Sequence, residues 1–207
     1  MASLKRIHYI SGIILTVFIT AHLFNHVCSV AGADKHIEIM NSLRIVYRNV
    51  FIETLLLLAV LTQILSGMKL FINKRKIAVS SFEKLHMWTG LYLAFFLIIH
   101  VSAVIGGRLY LHLDTNFYFG VAGLNTFPFN LFFIPYYGFA IVSVFGHLAS
   151  IHAAKMKSTL VGLSPNKQAT ILFIAGFFLT AFVFYGATGH FKGITIPAEY
   201  HVLVGGK

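Results

Sequence analysis

The chain has 207 residues, 57% of them hydrophobic and only 11% charged, with a mean hydropathy of +0.81 and 21 phenylalanines. Water-soluble domains average about 25% charged residues, so this composition excludes a soluble globular fold. The formal charge of +10 is spread between apolar runs instead of lying on one face, which argues against nucleic acid as a partner. A lone cysteine, Cys28, excludes an intrachain disulfide and any thiolate cluster for zinc or iron–sulfur.

About 20 apolar residues cross a hydrocarbon core of about 30 Å, and five such runs follow one another, over 7–30, 49–72, 85–107, 129–155 and 168–190. The expected architecture is an all-α integral membrane bundle of five transmembrane helices in one domain, 1–207, without internal repeats. The first run follows Lys5 and Arg6 as a signal peptide would. It is longer than an h-region and lacks a small-x-small cleavage site, so retention in the membrane is expected. It contains Ala21-His22-Leu23-Phe24-Asn25-His26. An ionisable side chain that deep is costly in lipid and by default faces the bundle interior with a partner.

Span two follows Arg44 and Arg48 and carries Glu53, Gln63 and Gly67. Span three carries His100 and span four His147. Between them, 108–130 is long, aromatic and nearly uncharged, the composition of an interfacial cap. Lys5, Arg6, Lys69, Lys74, Arg75, Lys76, Lys84, Lys155, Lys157 and Lys167 fall on one side. Lys35, Arg44, Arg48, Arg108, Lys192 and Lys207 fall on the other. By the positive-inside rule the N-terminus is expected inside and the C-terminus outside. The run Lys74-Arg75-Lys76 carries most of that signal, and doubles as a landing surface for an acidic partner or lipid.

Depth follows from the helical rise of about 1.5 Å per residue. His22 and His100 each lie 15 residues from the inner ends of their spans, at Ile7 and Leu85, which puts both about 22 Å up. Two histidines from parallel spans at one depth suit bis-imidazole ligation of one planar macrocycle, and haem b fits. In the inner half, His147 is about 12 Å from its end and Gln63 of span two stands level with it. Gly67, one turn inward, leaves room for a ring edge. Gln63 is a poor iron ligand beside imidazole, so one bis-histidine haem is expected and the second stays open. His26 suits capping or a haem propionate better than ligation. His8, His86 and His152 fall at inner helix ends, where interfacial roles suffice, and His36, His112, His190 and His201 lie in loops, near an end or in the tail. Glu53 follows Arg48 and Arg44 at near-helical spacing and reads as an interfacial ion pair. Its alternative is a proton-handling carboxylate beside an outer quinone pocket, with Arg44 and Arg48 available to haem propionates.

Arg6-Ile7-His8-Tyr9-Ile10-Ser11-Gly12 followed by AHLFNH in span one, Arg48 to Gly67 in span two, KLHMWTGLYLAFFLIIH in span three and FGHLASIH in span four resemble the five-helix cytochrome b anchor subunit of succinate dehydrogenases and fumarate reductases. The resemblance covers spans one to four. It implies an outer haem held by His22 and His100, and an inner haem held from spans two and four, at Gln63 and His147. This chain keeps three of those four ligands. The implied function is electron transfer between quinone and peripheral iron–sulfur and flavoprotein subunits on the inner face, in a bacterial cytoplasmic membrane. The chain itself would make no bonds. Two alternatives stand beside it: a haem protein of the same fold serving another partner, and a haem-free transporter or proton-relay bundle using these histidines directly. Five spans do not divide into two repeats, which counts against the transporter.

Overall fold

The computed structural model describes residues 2–206 and is helical throughout, with no β-strand among them. Lys207, counted above on the outer side, lies outside the described residues. Five helices are long and apolar enough to cross a membrane: α1 (Ala2–Cys28), α3 (Val50–Lys74), α4 (Ser81–Leu109), α6 (Asn130–Lys155) and α7 (Pro165–Ala187). These are the five expected spans, with limits that agree to within a few residues; the largest shifts are at the start of the first and third helices, which begin earlier, and in the last, whose limits move toward the N-terminus. The chain is an integral membrane protein of the all-α class.

Local chemistry marks the helix ends. Asn49 accepts from the backbone N–H of Phe51 ahead of α3. Ser80 and Glu83 close a reciprocal capping box on α4. Pro165 occupies the first turn of α7, where its missing N–H costs nothing. Inside the spans, hydroxyls bond back to the carbonyl one turn earlier, as with Ser11 to Ile7, Thr16 to Gly12, Ser150 to Gly146 and Thr180 to Gly176. A hydroxyl in hydrocarbon is satisfied in this way without a partner helix.

The five helices form a ring in chain order, α1 to α3 to α4 to α6 to α7, closing from α7 back to α1. Small residues set the closest approaches. A Cβ at Gly176 of α7 would stand 2.6 Å from Phe145 Cβ of α6, and one at Gly186 would stand 2.6 Å from the backbone N of Val30. Outward faces carry Leu58, Leu61, Leu65, Phe177 and Phe178, all well exposed, which is the surface hydrocarbon covers.

The two ends of the bundle differ. The end that begins α1 carries the basic residues, with Lys155 Nζ 3.6 Å above the Tyr9 ring; it is called the basic end below. The opposite end is closed by a cap made of α2 (Ala33–Tyr47), α5 (Phe117–Val121) and a 3-10 segment, Ala198–Val204. Its core is Phe117, Val121, Leu124 and Ala187, flanked by Ile37, Ile194 and Ile196. Tyr200 is fully buried and donates to the Asp114 carbonyl. Burial beside Glu199 pushes its hydroxyl up to about 12. The 108–130 connection is therefore a packed cap, as its composition suggested, and α2 is a helix that no apolar run announced.

Candidate functional site

Histidines gather at two levels of the ring interior. At the cap end, His22 of α1 and His100 of α4 face one another across the bundle with ring centroids 6.2 Å apart. Each ring is held by a phenylalanine one turn earlier on its own helix: Phe18 stacks on His22 at 5.6 Å and 18°, and Phe96 on His100 at 4.9 Å and 15°. Residues four apart share a helix face, so the stacking is built into the local sequence. The depth match is maintained as well, since both histidines lie 19 residues from the starts of their 29-residue spans.

His26, one turn beyond His22, approaches it Nε2 to Nε2 at 3.2 Å. Its ring also lies 5.2 Å from that of His36 on α2. His36 and Asn25 are 3% and 4% exposed and share one hydrogen bond of 3.1 Å. His36 Nδ1 and Asn25 Oδ1 are buried with no partner among the described residues, as is Arg44 Nε. Burial, reinforced by His22 and Arg44, pushes the His36 imidazole down to about 4. A cavity of about 100 Å³ opens beside these rings, lined by His22, His26, His100, Tyr137, Phe184 and Gly120.

These residues can be tested against an iron macrocycle. His22 and His100 bring two imidazoles to 6.2 Å of one another, ring centroid to centroid, and two imidazoles from different helices are the donor set that would hold the iron of a haem. No three His, Cys, Asp or Glu side chains converge to hold a bare ion among the described residues. The unpartnered His36 Nδ1 and Arg44 Nε are donors suited to the carboxylates of such a group. The cavity is smaller than the roughly 150 Å³ that admits benzene, so the lining side chains must part for a macrocycle. The donor set fits. Gly120, with no atom within 4 Å of a built Cβ, lies on the wall with room to move.

At the basic end the arrangement departs from expectation. Gln63 does not face His147. Its Nε2 donates to the His8 carbonyl and, at 3.0 Å, to Ser11 Oγ, both on α1, and α3 packs against α1 and α4. The neighbour of His147 is His86 of α4, stacked at 4.0 Å and 25°. Gly67 does leave room for a ring, but the ring is that of His8, whose Cε1 lies 3.4 Å from a built Cβ. His8 and His86, assigned interfacial roles from their positions near helix ends, are thus drawn into the bundle. The available signal was a spacing: fourteen residues separate His8 from His22 and His86 from His100, nearly four whole turns, which keeps each pair on one helix face. His152 does stay local, with Nε2 2.9 Å from Gln168 Oε1.

The charged residues also re-pair. Glu53 bonds Arg108 of α4 instead of Arg44 or Arg48. Arg44 pairs with Asp114 of the cap at 2.8 Å, and Arg48 donates to Thr115 at 3.1 Å. Burial, with Arg44 and Arg108 nearby, pushes the Arg48 guanidinium down from its usual range. Arg44 and Arg48 therefore hold α2 and the start of α3 to the 114–115 stretch of the cap, while Arg108 ties α4 to α3. Comparison of the chain with protein-family models, curated proteins and solved structures gives no match.

Proposed function

We propose that this protein is the membrane-embedded b-type cytochrome subunit of a quinone-linked oxidoreductase, of the kind that anchors a peripheral succinate dehydrogenase or fumarate reductase unit. The observation that carries it is the pair His22 and His100: two imidazoles from parallel helices, 6.2 Å apart across the ring and each fixed by a stacked phenylalanine. A haem held there supplies one-electron transfer inside the membrane. His22 and His100 are the residues that would hold its iron. Phe18 and Phe96 limit the tilt of those rings and keep water from them. Arg44 and His36 offer donors to its carboxylates, and the cap of α2 and α5 covers that end. At the opposite end, Lys74, Arg75 and Lys76 form the surface on which an acidic iron–sulfur partner docks.

The test is a reduced-minus-oxidised spectrum of the purified chain. Sharp alpha and Soret bands are expected, lost or converted to high-spin in His22→Ala and in His100→Ala. A colourless wild type refutes the cytochrome assignment. Reversing Lys74, Arg75 and Lys76 together should release the peripheral subunit at moderate salt, since exposed charge is screened, and co-purification that survives the change leaves the run as a topology anchor. A second function, proton relay, is favoured by one contact, the 3.2 Å approach of His26 to His22; a colourless protein that conducts protons in vesicles would establish it.

A further inference from the structure

Three arginines and two carboxylates meet at the cap end, and their pairing leaves one arginine over. Arg108 is bonded to Glu53, and Arg44 to Asp114 at 2.8 Å. Arg48 stands 3.9 Å from that same Asp114 oxygen, beyond hydrogen-bond length, and donates Nη2 to the neutral hydroxyl of Thr115 at 3.1 Å. Among the described residues it has no carboxylate of its own. Its side chain is only 32% exposed, and burial, with the charges of Arg44 and Arg108 added, works against its guanidinium. A cation in that position is costly unless an anion joins it.

The location selects the anion. Arg48 lies two residues before the span that opens at Val50, and Arg108 one residue before the end of the span that closes at Leu109. Both guanidinium groups are therefore at the rim of the hydrocarbon, the level of phospholipid headgroups. Their chain neighbours Ile45, Val46, Val50 and Phe51 on one side, and Leu109 and Tyr110 on the other, are all well exposed. A lipid phosphate arrives with acyl chains that cover this apolar collar, whereas a dissolved anion leaves it uncovered.

The donors are available. Arg48 uses Nη2 on Thr115 and Arg108 uses Nη1 on Glu53, out of five N–H donors in each planar fork. Such forks match phosphate oxygens two at a time. A zwitterionic headgroup would bring a quaternary ammonium into the same cationic corner, which offsets the attraction.

We infer that Arg48 and Arg108 bind the phosphate of an anionic phospholipid in the leaflet at the cap end, with its acyl chains on the collar of Val50, Phe51 and Leu109. Glu53 and Asp114 compete for the same two guanidinium groups and so set the strength of the site. Arg44 is not part of it, being 11% exposed and committed to Asp114. None of the histidines proposed to hold iron takes part, so this site is tested independently of the cytochrome assignment.

The experiment is native mass spectrometry of the full-length protein in a neutral detergent, titrated with phosphatidylglycerol, phosphatidylcholine or inorganic phosphate. One phosphatidylglycerol should bind in preference to phosphatidylcholine, and Arg48→Gln and Arg108→Gln should each weaken it about fivefold. Glu53→Gln breaks the same ion pair as Arg108→Gln but removes the competing carboxylate, so it should bind phosphatidylglycerol more tightly than the wild type. Asp114→Asn should do the same, and a gain of affinity cannot arise from misfolding. Lys192→Gln, on the loop after α7, changes the net charge as Arg48→Gln does and should leave the preference intact. Equal affinity for the two lipids overturns the site. So does a preference that survives both arginine substitutions, and so does weakening in Glu53→Gln, the result expected of a purely structural ion pair. Displacement of phosphatidylglycerol by an equal concentration of inorganic phosphate would make this a site for a free anion and overturn the lipid.

Discussion

At the cap end the imidazoles of His22 and His100 are oriented by stacking on Phe18 and Phe96 and border a cavity. At the basic end His8 and His147 are oriented by hydrogen bonds from Nδ1 to Ser66 and Thr89 and sit over glycines. Stacking fixes the plane of a ring but leaves its tautomer free. A hydroxyl already committed to a carbonyl, as Ser66 is to Thr62 and Thr89 to Leu85, fixes the tautomer as well. The cap-end level is thus plastic, with His26 within reach of His22, whereas the basic-end level is preset. The contrast can be probed by disturbing one level at a time.

The largest effect is expected from Gly186→Val. A Cβ there meets the backbone of Ser29 and Val30 at under 3 Å, and backbone cannot swing aside. Overpacking of this kind costs about 1–3 kcal/mol or more. The segment it displaces begins three residues after His26, so the thermal midpoint in detergent should drop together with any cap-end absorbance. A variant that keeps both would show that α7 and the Ser29–Ala31 turn do not hold that level.

Next comes a matched pair. Gly90→Val pushes a branched side chain into the His147 ring, 3.2 Å from the Cβ position, and should cost about 1–3 kcal/mol while altering only basic-end properties. Gly120→Ala, with nothing within 4 Å, should change stability by less than about 0.5 kcal/mol. Equal effects from the two would erase the distinction between a tight seat and an open wall.

The pH dependence isolates the cap. His36 titrates at about 4 in the folded protein, against an ordinary value of about 6.5, so the unfolded chain binds its proton first as the pH falls. Stability from this group is complete above about pH 6.5 and is lost progressively between about 6.5 and 4. Hydrogen-exchange protection of the α2 amides should decline over that window in the wild type and stay flat in His36→Gln. A flat wild-type profile would mean that His36 is protonated without cost, with a partner that the burial of Nδ1 does not suggest.

Glu53→Gln should do least. Its ion pair with Arg108 is about one-third exposed on each side, and such pairs contribute about 0–1 kcal/mol. A loss of quinone-dependent proton uptake in this variant, without loss of stability, would restore the proton-handling role in place of the tie between α3 and α4.

The sequence alone determined the number of membrane helices, their limits to within a few residues, and the equal depth of His22 and His100. All of these follow from local quantities: apolar run length and a rise per residue that is constant along a helix. It also contained the fourteen-residue spacing that puts His8 beneath His22 and His86 beneath His100. What it left undetermined was which neighbour each face meets. Gln63 has the height of His147 but not its direction, because α3 turns that side chain to His8 and Ser11 of α1 while α4 brings His86 to His147. Glu53 likewise found Arg108 on another helix instead of Arg48 on its own approach. The helix α2 and the seating of the 108–130 segment against it arose from contacts with Phe117, Ile37 and the 3-10 tail, not from any periodic apolar run. Height along a helix is set by covalent geometry; rotation about its axis and the identity of its neighbours are set by how close small residues such as Gly67, Gly90, Gly176 and Gly186 let the backbones come, and only the folded bundle supplies that.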